Sequence, residues 1–255
     1  MRTAMLPLAC VLIACVLIAC ALSACAGATE TGNPAVPVDI QLDLRSSAPS
    51  AVGIRTGAAD TVIEQAWFAL GEPLFLDEGQ CGSLEDFPVG PTSLVADLAS
   101  PDARIELQVA SERYCGLVLR LQQDSTELPD DAPSELEDHS IVLTGTRADG
   151  TPFMVLHAEQ DEIEVIADDG SFEVEEGGPL LLLAFDVAAL MRDVALDDAE
   201  VDTDGVIRID AMRNTPLHEA FDANLECSLD LYFDRDEDGQ LDAALDPHVA
   251  RCAPQ

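Results

Sequence analysis

The segment VDIQLDL, residues 38–44, carries the pattern on which the fold prediction depends. Its apolar side chains, Val38, Ile40, Leu42 and Leu44, alternate with polar ones, as expected for a strand with one buried and one solvated face. Comparable short runs recur along the chain: TVIEQAWFAL (61–70), SLVADL (93–98), RIELQV (104–109), YCGLVLRLQ (114–122), SIVLTGTR (140–147), PFMVLHA (152–158), EIEVIA (162–167) and SFEVE (171–175).

Turn signals separate these runs. Asp149-Gly150 and Asp169-Gly170 favour tight hairpins, because both residue types tolerate a positive φ. The run PLLLLAFDVAALMRDV (179–194) is read as a buried strand that continues into a short helix or turn. Many short strands at this spacing predict a mainly β protein, an antiparallel β-sandwich, over residues 37–212.

The C-terminal part, residues 213–255, has a different pattern. In TPLHEAFDANLECSLDLYF (215–233), Thr215 is suited to cap a helix and Pro216 to its first position. Apolar residues then follow at helical spacing: Leu217, Phe221, Leu225, Leu229 and Tyr232. The sequence predicts a C-terminal helix, followed by an Asp-rich loop, both packed on the sandwich.

The order of these elements resembles a family of bacterial lipoproteins of unknown function with a transthyretin-like (prealbumin-like) sandwich. The similar stretches are VIEQAWFAL (62–70), YCGLVLRL (114–121), IVLTGTRADGTPF (141–153) and LLLLAFDVAAL (180–190). The resemblance covers residues 36 to about 212. It implies a sandwich fold and a place in the bacterial envelope, but no catalytic residues.

The N-terminal residues 1–24 read as a lipoprotein signal peptide, with one charged residue, Arg2, ahead of an apolar stretch. LSAC, residues 22–25, resembles a bacterial lipobox, and Cys25 is therefore the predicted site of lipid attachment. The alternatives are LIAC (17–20), which has a bulky Ile where a small residue is preferred, or a helix with incidental cysteines. Residues 25–36 would form a flexible tether to a membrane, predicted to be the outer membrane.

The charge is strongly acidic. The chain has 49 Asp and Glu residues and 12 basic ones, all Arg, for a formal net charge of −37. Such a chain repels nucleic acid and anionic lipid head groups, and it suits cations or basic partners. A general contribution to solubility is the other interpretation of the same charge.

Four cysteines accompany Cys25 in the predicted mature chain: Cys81, Cys115, Cys227 and Cys252. Export to an oxidising compartment favours disulfides. Four cysteines allow three connectivities, and we expect nearest neighbours to pair. The cysteines form no CxxC pair and lie far from the histidines in sequence, which argues against zinc.

The segment DRDEDGQLD, residues 234–242, predicts a calcium loop of the EF-hand type. Such loops supply oxygen ligands at their first, third, fifth, seventh and ninth positions. Here these positions hold Asp234, Asp236, Asp238, Gln240 and Asp242. The twelfth position holds Leu245 instead of Glu, with Asp246 next to it as a substitute, so the site would be weak. The alternative is a solvated acidic turn. The segment EVDTDGVIRID, residues 200–210, is a poorer version with Arg208 at a possible ligand position.

Motifs for catalysis are missing from the sequence. The histidines (His139, His157, His218 and His248) form no HExxH motif or spaced metal pair, and His157 is interpreted as a packed or rim residue of its strand. There is no GxSxG motif. The sequence predicts a lipid-anchored envelope protein, not an enzyme, with a binding or structural role toward an unknown protein or carbohydrate, stabilised by calcium. The alternatives are a secreted hydrolase of envelope carbohydrate and an accessory lipoprotein of an envelope assembly system.

Overall fold

The computed structural model describes residues 37–46, 54–55, 61–77, 81, 93–99, 104–110, 112–123, 128–175, 180–238, 240–242 and 244–252. All of these residues belong to the unit Val36–Gln255. The predicted signal peptide, the lipidation site Cys25 and the tether lie outside the described residues. Within them, no helix has the length and apolar character needed to cross a membrane.

The described chain consists mainly of short strands. They are β1 (Pro37–Ser46), β2 (Ile54–Arg55), β3 (Val62–Gly71), β4 (Leu74–Asp77), β5 (Ser93–Asp97), β6 (Arg104–Ala110), β7 (Arg113–Arg120), β8 (Ile141–Thr146), β9 (Pro152–His157), β10 (Glu162–Ala167), β11 (Phe172–Glu173), β12 (Leu180–Phe185), β13 (Ile207–Ile209), β14 (Leu229–Asp234) and β15 (His248–Cys252). The helices are α1 (Val187–Leu190) and α2 (Thr215–Leu225), and short 3₁₀ turns span Ser134–Glu137 and Leu196–Asp198.

In the described part of the chain these strands form two sheets. A nine-stranded sheet has the order β11-β7-β10-β15-β14-β12-β1-β6, with β4 also paired to β7. A six-stranded sheet has the order β13-β9-β8-β3-β2, with β5 also paired to β3. Among the described residues, neighbouring strands are antiparallel except for two parallel pairs, β1 with β12 and β9 with β13.

The core lies where apolar side chains of both sheets meet. The ring of Phe68 in β3 lies 4.7 Å from that of Phe185 in β12, measured between centroids, and both side chains are fully buried. Leu70, Leu119 and Leu183 are also fully buried in the same cluster. Each such side chain contributes roughly 1.5–3 kcal/mol by its burial. The predicted mainly β sandwich with a short C-terminal helix is confirmed.

The two Asp-Gly pairs form different kinds of turn. Gly150 has a φ of 85° and joins β8 to its antiparallel neighbour β9, which is the predicted hairpin. Gly170, with a φ of 81°, joins β10 to β11, but these strands are not partners. Both strands pair with β7 instead, so the second Asp-Gly pair makes a turn without a hairpin.

The predicted C-terminal helix is shorter in the structure than its apolar spacing suggested. Helix α2 ends at Leu225, and Leu229 and Tyr232 belong to β14, where they pair with β12. The first four residues of β14, 229–232, alternate between buried and partly exposed positions, which is the period of a strand. Strands β14 and β15 lie inside the nine-stranded sheet, so residues 229–234 and 248–252 are part of the sandwich.

Both ends of α2 are fixed by side chains. Asn214, with a φ of 52°, is the N-cap residue, in place of the predicted Thr215. Its side-chain amide donates to the Arg208 carbonyl at 2.7 Å and accepts from the Glu200 N–H at 2.7 Å. Near the other end, Asn224 donates to the carbonyls of Leu190 and Arg192. These bonds hold the helix against the chain on both sides.

Two disulfides join the pairs expected for nearest neighbours. Cys81 pairs with Cys115 and Cys227 pairs with Cys252, with Cα–Cα distances of 6.0 and 5.1 Å. The first links the segment after β4 to β7, and the second links the end of α2 to β15. At separations of 34 and 25 residues, each stabilises the fold by about 3.5 kcal/mol in the chain-entropy model.

Candidate metal centre

The predicted calcium loop connects the neighbouring strands β14 and β15 of the nine-stranded sheet. Asp234 is the last residue of β14 and is 0% exposed, and Asp246 lies two residues before β15 and is 3% exposed. A carboxylate is rarely buried to this degree unless it is hydrogen-bonded, paired or bound to a metal. The two strands therefore position two buried carboxylates at one end of the sheet.

Three carboxylates converge in this loop. One oxygen each of Asp234, Asp236 and Asp246 lies within 4.8 Å of the other two. The loop backbone holds two of them in place: Asp234 accepts from the Glu237 N–H at 2.8 Å, and Asp246 accepts from the Asp242 N–H at 2.7 Å. The arrangement offers several oxygen atoms to a hard cation.

The electrostatics of the cluster disfavour a third negative charge. Loss of hydration raises the pKa of Asp236, although its side chain is exposed, and repulsion from Asp238 and a hydrogen bond shared with Asp234 add to this shift. Repulsion from Asp234 and Asp246 contributes further. A cation bound in the cluster would offset the repulsion between these carboxylates.

The other predicted ligands lie on the exposed side of the loop. Asp238 accepts from the Gln240 N–H at 2.8 Å, and Asp242 accepts from the Ala244 N–H at 2.9 Å, so both side chains stabilise turns. Leu245, at the twelfth position, is 53% exposed. The inward position of the EF-hand Glu is taken by Asp246, one residue later.

The second acidic segment, residues 200–210, has a different arrangement. Arg208 donates to Asp202 at 2.7 Å and to both carboxylate oxygens of Asp204, at 3.0 and 2.7 Å. Gly205, with a φ of 85°, closes the turn. The guanidinium group of Arg208 occupies the place where a cation would bind. A turn without a metal ion therefore accounts for residues 200–210.

The structure also brings together residues that the sequence did not suggest as a group. His157, His218 and Asp222 each place one ligand atom within 4.8 Å of the others. Their separation in sequence hides them from any motif search. The only signal was the position of His218 and Asp222 one helical turn apart, with His157 at the end of an apolar strand.

The fold and these residues define a disulfide-bonded, mainly β protein with clustered carboxylates. No protein-family model matches the sequence, and no curated protein matches it significantly. Among solved structures, MbnP from Methylosinus trichosporium is similar, with 10% identity and a TM-score of 0.37. The likeness covers 72% of this chain and 84% of that chain, and we draw no conclusion from it about fold or function.

Proposed function

We propose that the protein is a lipid-anchored component of the bacterial envelope with a binding or structural role, not a catalytic one. Cys25 would carry the lipid, and calcium would hold the loop between β14 and β15. The observation that carries the calcium part of this proposal is the convergence of Asp234, Asp236 and Asp246, two of which are buried almost completely.

Calcium suits this cluster for chemical reasons. It takes six to eight oxygen ligands and tolerates irregular geometry, so three carboxylates can be completed by backbone carbonyls and water. The missing Glu at the twelfth position removes a bidentate ligand. We therefore expect a dissociation constant of about 10⁻⁴–10⁻³ M, as in extracellular calcium modules.

The envelope location is supported by two independent features of the chain. The disulfides Cys81–Cys115 and Cys227–Cys252 need an oxidising compartment to persist. The LSAC sequence at residues 22–25 supplies a thiol for lipid attachment directly before a polar segment. Attachment of two or more acyl chains gives stable anchoring, whereas a single chain binds only marginally.

Thermal unfolding of the full-length protein in detergent tests the calcium site. At 10 mM calcium we expect a stabilisation of about 1.4–2.7 kcal/mol relative to chelator, given the dissociation constant above. This corresponds to a rise in melting temperature of about 3 to 10 °C. Asp246→Asn should lose most of this rise, because it removes a buried ligand.

The matched control is Asp131→Asn, which changes an exposed turn residue elsewhere on the chain. It should keep the full response to calcium. If wild type shows no shift at 10 mM calcium, or if Asp246→Asn responds like wild type, calcium does not bind at this cluster.

Fatty-acid labelling in a bacterial host tests the anchor separately. Wild type should incorporate a labelled acyl chain, and Cys25→Ser should not. Cys20→Ser is the matched control, since Cys20 ends the competing LIAC sequence, and it should be labelled like wild type. Equal labelling of wild type and Cys25→Ser would place the attachment elsewhere.

A further inference from the structure

Two histidines from distant parts of the sequence meet in the protein interior. His157 ends β9 and is 0% exposed, while His218 lies near the start of α2 and is 4% exposed. Their imidazole rings are stacked, with centroids 5.7 Å apart and planes inclined by 20°. Histidine is seldom this buried without a specific partner.

Asp222 links the two rings. One of its carboxylate oxygens lies 2.9 Å from Nδ1 of His157 and the other lies 3.0 Å from Nδ1 of His218. Asp222 follows His218 by one helical turn, so α2 itself places the carboxylate and one imidazole on the same face. Two imidazole nitrogens and one carboxylate oxygen therefore surround a common point.

The second nitrogen of each of these imidazole rings, Nε2, is not satisfied by a hydrogen bond among the described residues. Within the described part of the chain, Nε2 of His157 and Nε2 of His218 are buried and have no hydrogen-bond partner. Nε2 of His157 lies 2.9 Å from a carboxylate oxygen of Asp161, but the contact is not aligned as a hydrogen bond. Buried polar atoms of native proteins are normally paired, and here Asp222 holds both rings from their Nδ1 side.

An acidic cavity opens beside the cluster. It has a volume of about 250 Å³, and Asp222 and Asp161 form part of its lining, together with Glu159, Glu162 and Glu226. Glu162 is paired with Arg120. The excess of carboxylates gives the cavity a negative potential that attracts cations to the side of the cluster on which Asp222 lies.

We propose that His157, His218 and Asp222 bind a divalent transition-metal ion of the zinc class. Imidazole nitrogen combined with one carboxylate is a ligand set for such ions, whereas calcium prefers oxygen alone. With the metal on the Nδ1 side, Nε2 of His157 carries the proton and faces Asp161. Because the chain supplies three ligands, a tetrahedral ion would keep a fourth position for water or a small ligand.

Calorimetric titration of the full-length protein in detergent with zinc, in the presence of 10 mM calcium, tests the site. The calcium saturates carboxylate-only sites, so the remaining binding reports on the imidazoles. We expect one zinc ion per chain. His218→Gln and Asp222→Asn should each weaken zinc binding at least about tenfold.

The matched control is His248→Gln. His248 also faces two carboxylates, at 2.6 Å from Asp168 and 3.3 Å from Asp230, but it lies on the partly exposed sheet surface. This variant should bind zinc like wild type. If His248→Gln weakens binding as much as His218→Gln, or if wild type binds no zinc, the proposed site is wrong.

NMR of the histidine rings tests the site in the wild-type protein, so its result does not depend on whether a variant folds. Zinc should shift the ring nitrogen signals of His157 and His218 and leave those of His139 and His248 in place. Shifts confined to His139 or His248 would overturn the assignment. The outcome is independent of the calcium proposal, which concerns other residues and another metal.

Discussion

The two acidic segments of this chain look alike in sequence but balance their charge in opposite ways. In residues 200–210, Arg208 donates to Asp202 and to Asp204, and the hydrogen bond from Arg208 lowers the pKa of Asp204 to about 2. In residues 234–246, carboxylates lie close to other carboxylates, and the pKa of Asp236 is raised.

The difference comes from the position of one arginine. Arg208 lies four residues after Asp204, where its side chain reaches back across the turn. The loop between β14 and β15 also contains an arginine, Arg235, but its side chain is exposed and its backbone N–H donates to Asp246. Repeated Asp and Gly residues therefore do not define a cation site until the nearby guanidinium groups are located.

The largest expected effect comes from removing the disulfide Cys227–Cys252, because its ring contains the second acidic segment but not the first. The ring closed by Cys227–Cys252 contains the whole loop between β14 and β15. Replacing both cysteines by Ser should cost about 3.5 kcal/mol, within a general range of about 2–5 kcal/mol. Because the loop ends then move more freely, the increase in the free energy of unfolding with calcium should also shrink. Urea unfolding with and without calcium measures both effects.

The control for this prediction is the other disulfide. Replacing Cys81 and Cys115 by Ser should lower the stability by a similar amount and leave the calcium response unchanged, because that ring does not contain the acidic loop. A calcium response that is equal in the two double variants would show that the Cys227–Cys252 ring does not organise the metal site.

The second prediction concerns the sign of a pH dependence. Since the pKa of Asp236 is raised in the folded protein, its unfavourable contribution develops as pH rises from the ordinary value of 3.8 through the raised value. In chelator at pH 7, Asp236→Asn should therefore melt at a higher temperature than wild type, and the difference should vanish below pH 3.8. In calcium the order should reverse, because wild type keeps the ligand.

Melting curves between pH 3 and 8, in chelator and in calcium, test this sign. Asp131→Asn is a suitable control, since Asp131 is an exposed turn residue outside this loop. An Asp236→Asn variant that is less stable than wild type in chelator at neutral pH would contradict the repulsion described for the loop.

The sequence predicted features carried by contiguous residues. Alternation at residues 38–44 predicted β1, and the Asp-Gly pair at 149–150 predicted the hairpin between β8 and β9. The order of residues alone also predicted that Asp234 and Asp236 would lie in one loop. It could not show that Asp246 turns inward while Leu245 faces solvent, because this depends on how the loop enters β15.

Features formed by tertiary contacts were not predictable in the same way. His157 and Asp222 are 65 positions apart, and their contact depends on how α2 packs against the end of β9. The end of α2 at Leu225 was also missed, because Leu229 and Tyr232 continue the helical spacing, although Leu229, Leu231 and Phe233 also fit the alternation of a strand. Pairing of β14 with β12 and β15 selects the strand, and only the assembled sheet provides those partners.

The smallest expected effect comes from removing the arginine of the first acidic segment. Arg208→Gln should return the pKa of Asp204 from about 2 toward its ordinary value of 3.8, as measured by carboxyl NMR.

A lowered pKa stabilises the folded state above the ordinary value, and this contribution is lost as pH falls through the lowered one. The variant should therefore be slightly less stable than wild type at neutral pH, and the difference should disappear as pH falls below about 2. The change is small because the groups are exposed and solvent screens them. Arg213→Gln, which removes pairs with Asp210 and Asp202 but none with Asp204, should leave the pKa of Asp204 unchanged. If the pKa of Asp204 stays near 2 in Arg208→Gln, then Arg208 is not what distinguishes the two acidic segments.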